Sequence, residues 1–316
     1  MDTRHDKGCL EIGKKTLVAG ILNVTPDSFH DGGRYNDLES ALTRARIMIE
    51  DGADIIDIGG ESTRPDSSYV SADEEMLRVV PVIKELSKET HIPISIDTYK
   101  AEVAEEAIKS GAKIINDVSG LQADDEMARV AAGNNTPIII MHIKGHPHAF
   151  PKDPVYDNLI PEIISFFERR IEYAVKSGIV HNNIIVDPGI GFGKRPEHNI
   201  AILRQLNDFK CLNLPIMVGT SHKSFIDKVL DLSDEQNLPK PDSRLVRQGE
   251  SLQRWVCGPL QGRPQAAASG MTGTLVTLII AVINGANIVR VHDVRETVQA
   301  IKMYRAIEPV DCKEKT

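Results

Sequence analysis

The chain has 316 residues, 37 basic against 45 acidic side chains for a formal charge of -8, and 41% apolar residues. With no basic run it offers little to a nucleic acid or an acidic membrane surface, and no apolar run approaches the roughly 18 residues of a membrane span. Four cysteines, Cys9, Cys211, Cys257 and Cys312, lie far apart without metal-type spacing; read as reduced thiols behind a polar start at Met1 to Lys7, they predict a cytoplasmic protein.

Residues 1–15 are polar and lead into the first apolar run, Thr16 to Asn23. Asn23 stands where the run stops, either as a ligand or as a turn cap. Residues 24–33 follow as a polar loop with Pro26 at one end and Gly32-Gly33 at the other, which suits a lid or a surface connection. The second run, Asp54 to Gly60, opens into Glu61-Ser62-Thr63-Arg64-Pro65-Asp66-Ser67-Ser68, where hydroxyls and a guanidinium suit an anion. The third, Pro93 to Asp97, and the fourth, Lys113 to Asp117, each set an acid or amide just past the last apolar residue. Asp97 is a good N-cap for a helix beginning near Tyr99. Alternatively, Asp97 and Asn116 together match the donors and acceptors of an aminopyrimidinone ring.

The fifth run, Pro137 to His142, brings Met141 to pack on a ring or the core. His142, His146 and His148 follow in a Gly/Pro loop that does not fix metal-ligand geometry. The sixth, Asn183 to Asp187, stops at Pro188-Gly-Ile-Gly-Phe-Gly-Lys194. A carboxylate is thus held at the rim of a core, glycines admit a close approach to a ligand, and Phe192 and Lys194 offer a flat apolar face and a cation. The seventh, Leu214 to Gly219, turns through Thr220-Ser-His-Lys-Ser224 into a helix whose free amides would receive a carboxylate or phosphate beside Ser221, Lys223 and Ser224. Residues Leu232 to Ser269 break the pattern with Pro239, Pro241, Pro259, Pro264 and the only tryptophan, Trp255. The interrupted helix resumes at Met271 and runs to Gly285, and the break reads equally as a functional loop, a partner contact or disorder. In the eighth run, Asn287 to His292, alternation puts Arg290 and His292 on one face, aimed at one anion or paired with Asp293 or Glu296.

Between these runs lie amphipathic segments, among them Leu38 to Asp51, Ala101 to Ser110 and Leu159 to Ser177, closed by Gly52, Gly111 and Gly178. Eight continuous apolar strands alternating with helices predict a (β/α)8 TIM barrel in one domain over 1–316. The barrel spans about 16–307, with an insertion near 233–269 between strands seven and eight. Active sites of such barrels lie at the C-terminal strand ends, where the polar residues above collect.

Seven stretches carry a resemblance that covers most of the chain: Gly20 to Phe29, Gly60 to Pro65, Ser95 to Thr98, Ile115 to Asp117, Asp187 to Lys194, Gly219 to Phe225 and Ile288 to Asp293. In this order they resemble the signatures of dihydropteroate synthase. The resemblance implies condensation of 6-hydroxymethyl-7,8-dihydropterin diphosphate with 4-aminobenzoate, releasing pyrophosphate, in folate biosynthesis, by a homodimer of the family that sulfonamides target. It implies that Asp97, Asn116, Asp187 and Lys223 grip the pterin, with Met141 and Gly219 beside it. Asn23, Thr63, Arg290 and His292 hold the diphosphate, and Asn23 coordinates Mg2+. Thr63, Arg64, Pro65, Phe192, Lys223 and Ser224 shape the aminobenzoate site. Asp97, Lys223, Arg290 and His292 carry the catalysis, and loops near 24–33 and 62–71 move. The expected reaction is a dissociative substitution with no covalent enzyme intermediate.

Two departures stand out. His222 replaces the family's usual Arg, and Gly270-Met271 stands where an Arg-Leu pair is usual, both flanking the insertion. Two alternatives differ in class. A barrel transferring methyl groups from a folate to a corrinoid protein would have no use for Arg290, His292 and the Thr63 loop. A non-catalytic paralogue would not need the intact rim.

Overall fold

A computed structural model describes residues 12–13, 15–25, 33–62, 67–147, 149–151, 153–231 and 265–307, with backbone alone at 33–37, 231 and 265–269. The eight predicted strands are β1 (Leu17–Asn23), β2 (Ile55–Gly59), β3 (Ile94–Asp97), β4 (Ile114–Asp117), β5 (Ile138–Met141), β6 (Ile184–Asp187), β7 (Met217–Val218) and β8 (Ile288–Val291). They pair in parallel in the order β6-β5-β4-β3-β2-β1-β8-β7. The ring closes where the Val186 N–H donates to Pro215 O at 2.9 Å beside a parallel bridge to Ile216. β7 is shorter than the apolar run that foretold it, because Pro215 has no N–H to give to a ladder.

Helices cover the outside: α1 (Gly33–Glu50), α2 (Ala72–Glu89), α3 (Ala101–Ser110), α4 (Met127–Gly133), α5 (Leu159–Lys176), α6 (Pro196–Arg204), α7 (Ser224–Asp231), α8 (Gln265–Ile283) and α9 (Val294–Ile307). α1, α3 and α5 give way to Gly52, Gly111 and Gly178, all with positive φ as C-caps should have. α8 starts before the expected Met271 because Ala266, Ala267 and Ala268 are strong helix formers. The insertion therefore ends by Gln265, and its residues up to 264 lie outside the described ones. Among the described residues no helix is long and apolar enough to cross a membrane.

Alternation along each strand builds two shells. Leu17, Ala19, Ile55, Ile114, Ile139, Ile185, Met217 and Ile288 fill the barrel's lower interior. Val18, Ile56, Ile58, Ile96, Ile115, Ile140, Val186, Val218 and Val289 point outward under the helices. Each fully buried Ile or Val contributes roughly 1.5–3 kcal/mol, so both faces of the sheet are held and the strand ends are fixed in place.

Candidate active site

Register aligns the polar strand ends. Asn23 pairs with Gly59, Gly59 with Asp97 and Asp97 with Asn116 across β1 to β4, while Met141 pairs with Asp187 across β5 and β6. Above the apolar interior these ends enclose a cavity of about 710 Å³. Asn23, Asp97, Asn116, Met141, Asp187, Phe192, Gly219, Lys223, Ser224, Arg290 and His292 all line it. Every predicted site residue that the structure describes thus meets in one place. Thr63, Arg64 and Pro65 lie outside the described residues, as do 26–32 and 63–66 of the two expected moving loops.

The floor is organised around Arg290. Its Nε donates to Asp57 Oδ2 at 2.5 Å and its Nη2 to Asp97 Oδ2, and Asn116 Nδ2 donates to the same Asp57 oxygen at 3.2 Å. Arg290 therefore answers to two barrel acids and not to Asp293 or Glu296. Asp97 does not cap a helix either, since α3 starts at Ala101, whose N–H goes to Asp124 at 2.8 Å. Burial pushes Asp97 up to about 7, with Arg290 opposing and Asp57 reinforcing. Burial lowers the Arg290 pKa, but Asp57 and Asp97 outweigh it and hold the guanidinium above its ordinary range. Asp97 Oδ1, Asn116 Oδ1, Asp57 Oδ1 and Ser95 Oγ are buried without hydrogen-bond partners among the described residues. Of these, Asp97 and Asn116 line the cavity, and orphaned acceptors there call for a donor from a ligand.

Asp187 accepts the Gly189 N–H at 2.7 Å, and burial pushes its carboxyl up to about 6 against that bond and Lys223. Gly189 and Gly191 line the cavity, and two glycines of this loop also serve packing. A Cβ on Gly189 would lie 2.0 Å from His142 O, and one on Gly193 would lie 2.3 Å from Lys144 O, so both let the loop after β6 close onto the loop after β5. Lys194 belongs to that closure: its Nζ reaches His142 Nδ1 at 2.9 Å and the carbonyls of His142 and Phe192 at 3.2 and 3.1 Å. Burial lowers Lys194 to about 7 and His142 to about 2, so His142 is a neutral acceptor packed edge-on against Phe166. Asp117 points to the outer face and takes the N–H groups of Ser119 and Leu121, a loop-organising role.

Lys223 Nζ sits 4.0 Å over the Phe192 ring, a cation–π contact between two residues of the expected aminobenzoate site. Ser221 Oγ and His292 Nδ1 share a 3.0 Å hydrogen bond. His222, with φ of 52°, turns its Nε2 to Asp293 at 2.7 Å and its ring against His292. It thereby stands on the side of the cations and not over Phe192. Glu61, another residue of the cavity wall, is held by its neighbours: with Glu75 it clasps Lys100 at 2.5 Å each, and it accepts the Val70 N–H at 2.9 Å. The residue that sequence reasoning missed is Asp57. Its signal was an acid at an inward position inside the apolar run Ile55-Ile-Asp-Ile58.

With this geometry in place, comparison with known proteins is decisive. The model of a family described as pterin binding enzymes matches residues 19–292. The chain belongs to the pterin binding enzyme family. Within that family it is 44% identical to a dihydropteroate synthase of Bacillus subtilis over 304 residues, covering 96% of this chain and 93% of that one. The structure of a Clostridium difficile dihydropteroate synthase in the presence of pteroic acid superposes with a TM-score of 0.79 at 44% identity, covering 95% and 99% of the two chains. That of the Xanthomonas albilineans enzyme with 4-aminobenzoic acid gives 0.78 at 34% identity, with 94% of each chain covered.

Proposed function

We infer that the chain is a dihydropteroate synthase, a transferase that joins the pterinylmethyl group of 6-hydroxymethyl-7,8-dihydropterin diphosphate to the amine of 4-aminobenzoate and releases pyrophosphate. The observation that carries the reading is the sorting of polar groups in one cavity: buried acceptors on Asp97, Asn116 and Asp187 beside the cations of Lys223 and Arg290 and the imidazole of His292. The first set suits the donors of a flat heterocycle; the second suits a departing diphosphate. Met141 and Gly219 flank the ring. Phe192, Ser224 and, from the loop after β2, Thr63, Arg64 and Pro65 shape the aminobenzoate site, and Thr63 also reaches the diphosphate.

The chemistry follows from where charge develops. Breaking the C–O bond leaves positive charge on the pterin methylene and negative charge on the diphosphate oxygen. Arg290, His292 and Lys223 stand preorganised for the anion, and such donors are usually the largest catalytic term. Asp97 and Asp187 favour the delocalised cation. The aminobenzoate nitrogen then attacks the methylene and loses its proton, with no covalent enzyme intermediate. Asn23, exposed on the cavity wall, is a hard oxygen donor that fits Mg2+, an ion that takes its other ligands from water and substrate phosphates. When bound, Mg2+ adds neutralising charge to the leaving group.

The reading extends to a single barrel domain with an insertion between α7 and α8, to a cytoplasmic location supported by the unpaired thiol of Cys211, and to a homodimer supported by the bare apolar face of α8. Incubating the protein with the pterin diphosphate, Mg2+ and 4-aminobenzoate should release pyrophosphate in step with dihydropteroate. Release that does not require the amine, or none at all, would overturn the reading.

A further inference from the structure

Asp57 sits in the middle of β2, not at its end, and alternation sends it inward with Ile55. Its side chain is 3% exposed and does not line the cavity, so it meets no ligand directly. A carboxylate so deep persists only when it is paired, and both of its partners belong to the site: Arg290 Nε and Asn116 Nδ2, on the same oxygen.

The second bond decides what Asn116 shows a ligand. A carboxylate oxygen only accepts, so Asn116 must turn its NH2 down to Asp57, and its carbonyl oxygen is left for the cavity. That oxygen is buried and orphaned, and Asp97, whose Oδ2 is taken by Arg290, likewise offers an unpartnered Oδ1. The two ends of an amide have nearly the same size. Shape alone would let Asn116 turn over and present a donor; the hydrogen bond to Asp57 is what opposes that rotation. Pteridines with an amine or an oxygen at ring position 2 differ in just this respect.

We propose that Asp57 is a positioning residue that locks the Asn116 amide with its oxygen toward the pocket, and so sets a preference for 2-amino over 2-oxo pteridines. The proposal rests on the reading that Asn116 meets the pterin. Were Asp57 only a counter-charge for Arg290, its loss would weaken all pterin-type ligands alike and leave their ratio unchanged.

Calorimetric dissociation constants for 6-hydroxymethylpterin and 6-hydroxymethyllumazine, measured on the wild-type protein, Asp57→Ala, Asn116→Ala and the double variant, separate these roles. The wild type should prefer the pterin by about a hundredfold or more, because the lumazine leaves buried acceptors unpaired. Asp57→Ala should cut that ratio by about tenfold or more. In the Asn116→Ala background the same change should leave the ratio where Asn116→Ala alone put it. A wild-type ratio in Asp57→Ala, however weak both ligands become, would overturn the proposal, as would an equal drop in both backgrounds. If Asn116→Ala alone changes neither affinity, it is the pterin contact of Asn116 that fails, and the role of Asp57 falls with it. Thermal melts secure that each variant is folded, and Asp57→Ser, whose hydroxyl is too short to hold both partners, replaces Asp57→Ala should the latter not fold.

Discussion

At Asp187, 4% exposed at the end of β6, burial lifts the carboxyl from its ordinary 3.8 to about 6. The folded protein keeps a proton there that the unfolded chain releases, so stability falls as the pH rises through that window. The loss is roughly 3 kcal/mol once the group is charged. Asp187→Asn keeps the shape and removes the charge. Without ligand the variant should melt a few degrees above wild type near pH 7.5, with the difference gone by about pH 4, while binding the pterin at least about tenfold more weakly. Scanning calorimetry across that range with titration of the pterin checks both; a lower melt at pH 7.5 would mean that pairing with Lys223 and Arg290 outweighs burial. Asp97, Asn116 and Asp187 were legible because an acid or amide directly after an apolar run is visible in the chain. Asp57 was not, since a single acid inside Ile55-Ile-Asp-Ile58 leaves the strand pattern unbroken and its partner Arg290 lies 233 residues away. Lys194 lines the cavity, but its bonds to His142 and Phe192 were hidden for the same reason: they depend on a fold of the loop after β5 that no local pattern reports.

Element boundaries followed local chemistry closely, because strands of Ile and Val and helices closed by glycine carry their own signals. How a loop is tied down is a different matter. The segment after β2 is fastened by Ser67 Oγ on Ser62 O at 2.6 Å and by Glu61 on the Val70 N–H, and Glu61 is itself held by Lys100 at the start of α3, which also binds Glu75 of α2. The Lys100 ammonium lies 5.1 and 4.7 Å from the rings of Tyr69 and Tyr99. Three elements thus meet on one buried cation, which ties Glu61 at the end of β2 to α2 and α3. Lys100→Met fills the space but leaves two buried carboxylates unpaired, which should cost about 3–5 kcal/mol. It should also raise the KM for 4-aminobenzoate several-fold with a smaller effect on pterin affinity, since the floor is untouched. Denaturant melts and steady-state kinetics test this, and an unchanged midpoint would show that the cluster does not hold the loop.

For the whole molecule, α8 is the telling surface. It turns Thr274, Leu278 and Ala281 inward, none more than 1% exposed, and at the same spacing turns Val276, Ile280 and Ile283 outward at 54%, 38% and 56%. A helix apolar on nearly every side belongs between two layers, and among the described residues only one of them is supplied. Leu230 of α7 extends the same bare surface. An isologous contact of α8 with its copy would cover it, as in most two-fold assemblies. The consequence reaches the site, because α8 also braces the turn before α7: the His222 N–H donates to Thr274 Oγ1 at 3.2 Å, and Thr277 Oγ1 bonds Thr220 Oγ1 at 3.0 Å. That turn presents Lys223 and Ser224. Light scattering at about 10 µM should find a dimer, and Ile280→Glu, which puts a charge in the middle of the apolar face, should give monomers. Because the floor of the cavity is built from β1 to β6 and β8, the monomer should bind the pterin within about twofold of wild type. With α8 unsupported, its KM for 4-aminobenzoate should rise several-fold. A wild-type monomer would remove the partner, and a monomeric Ile280→Glu with unchanged KM would leave the dimer standing but disconnect it from the turn that faces the amine.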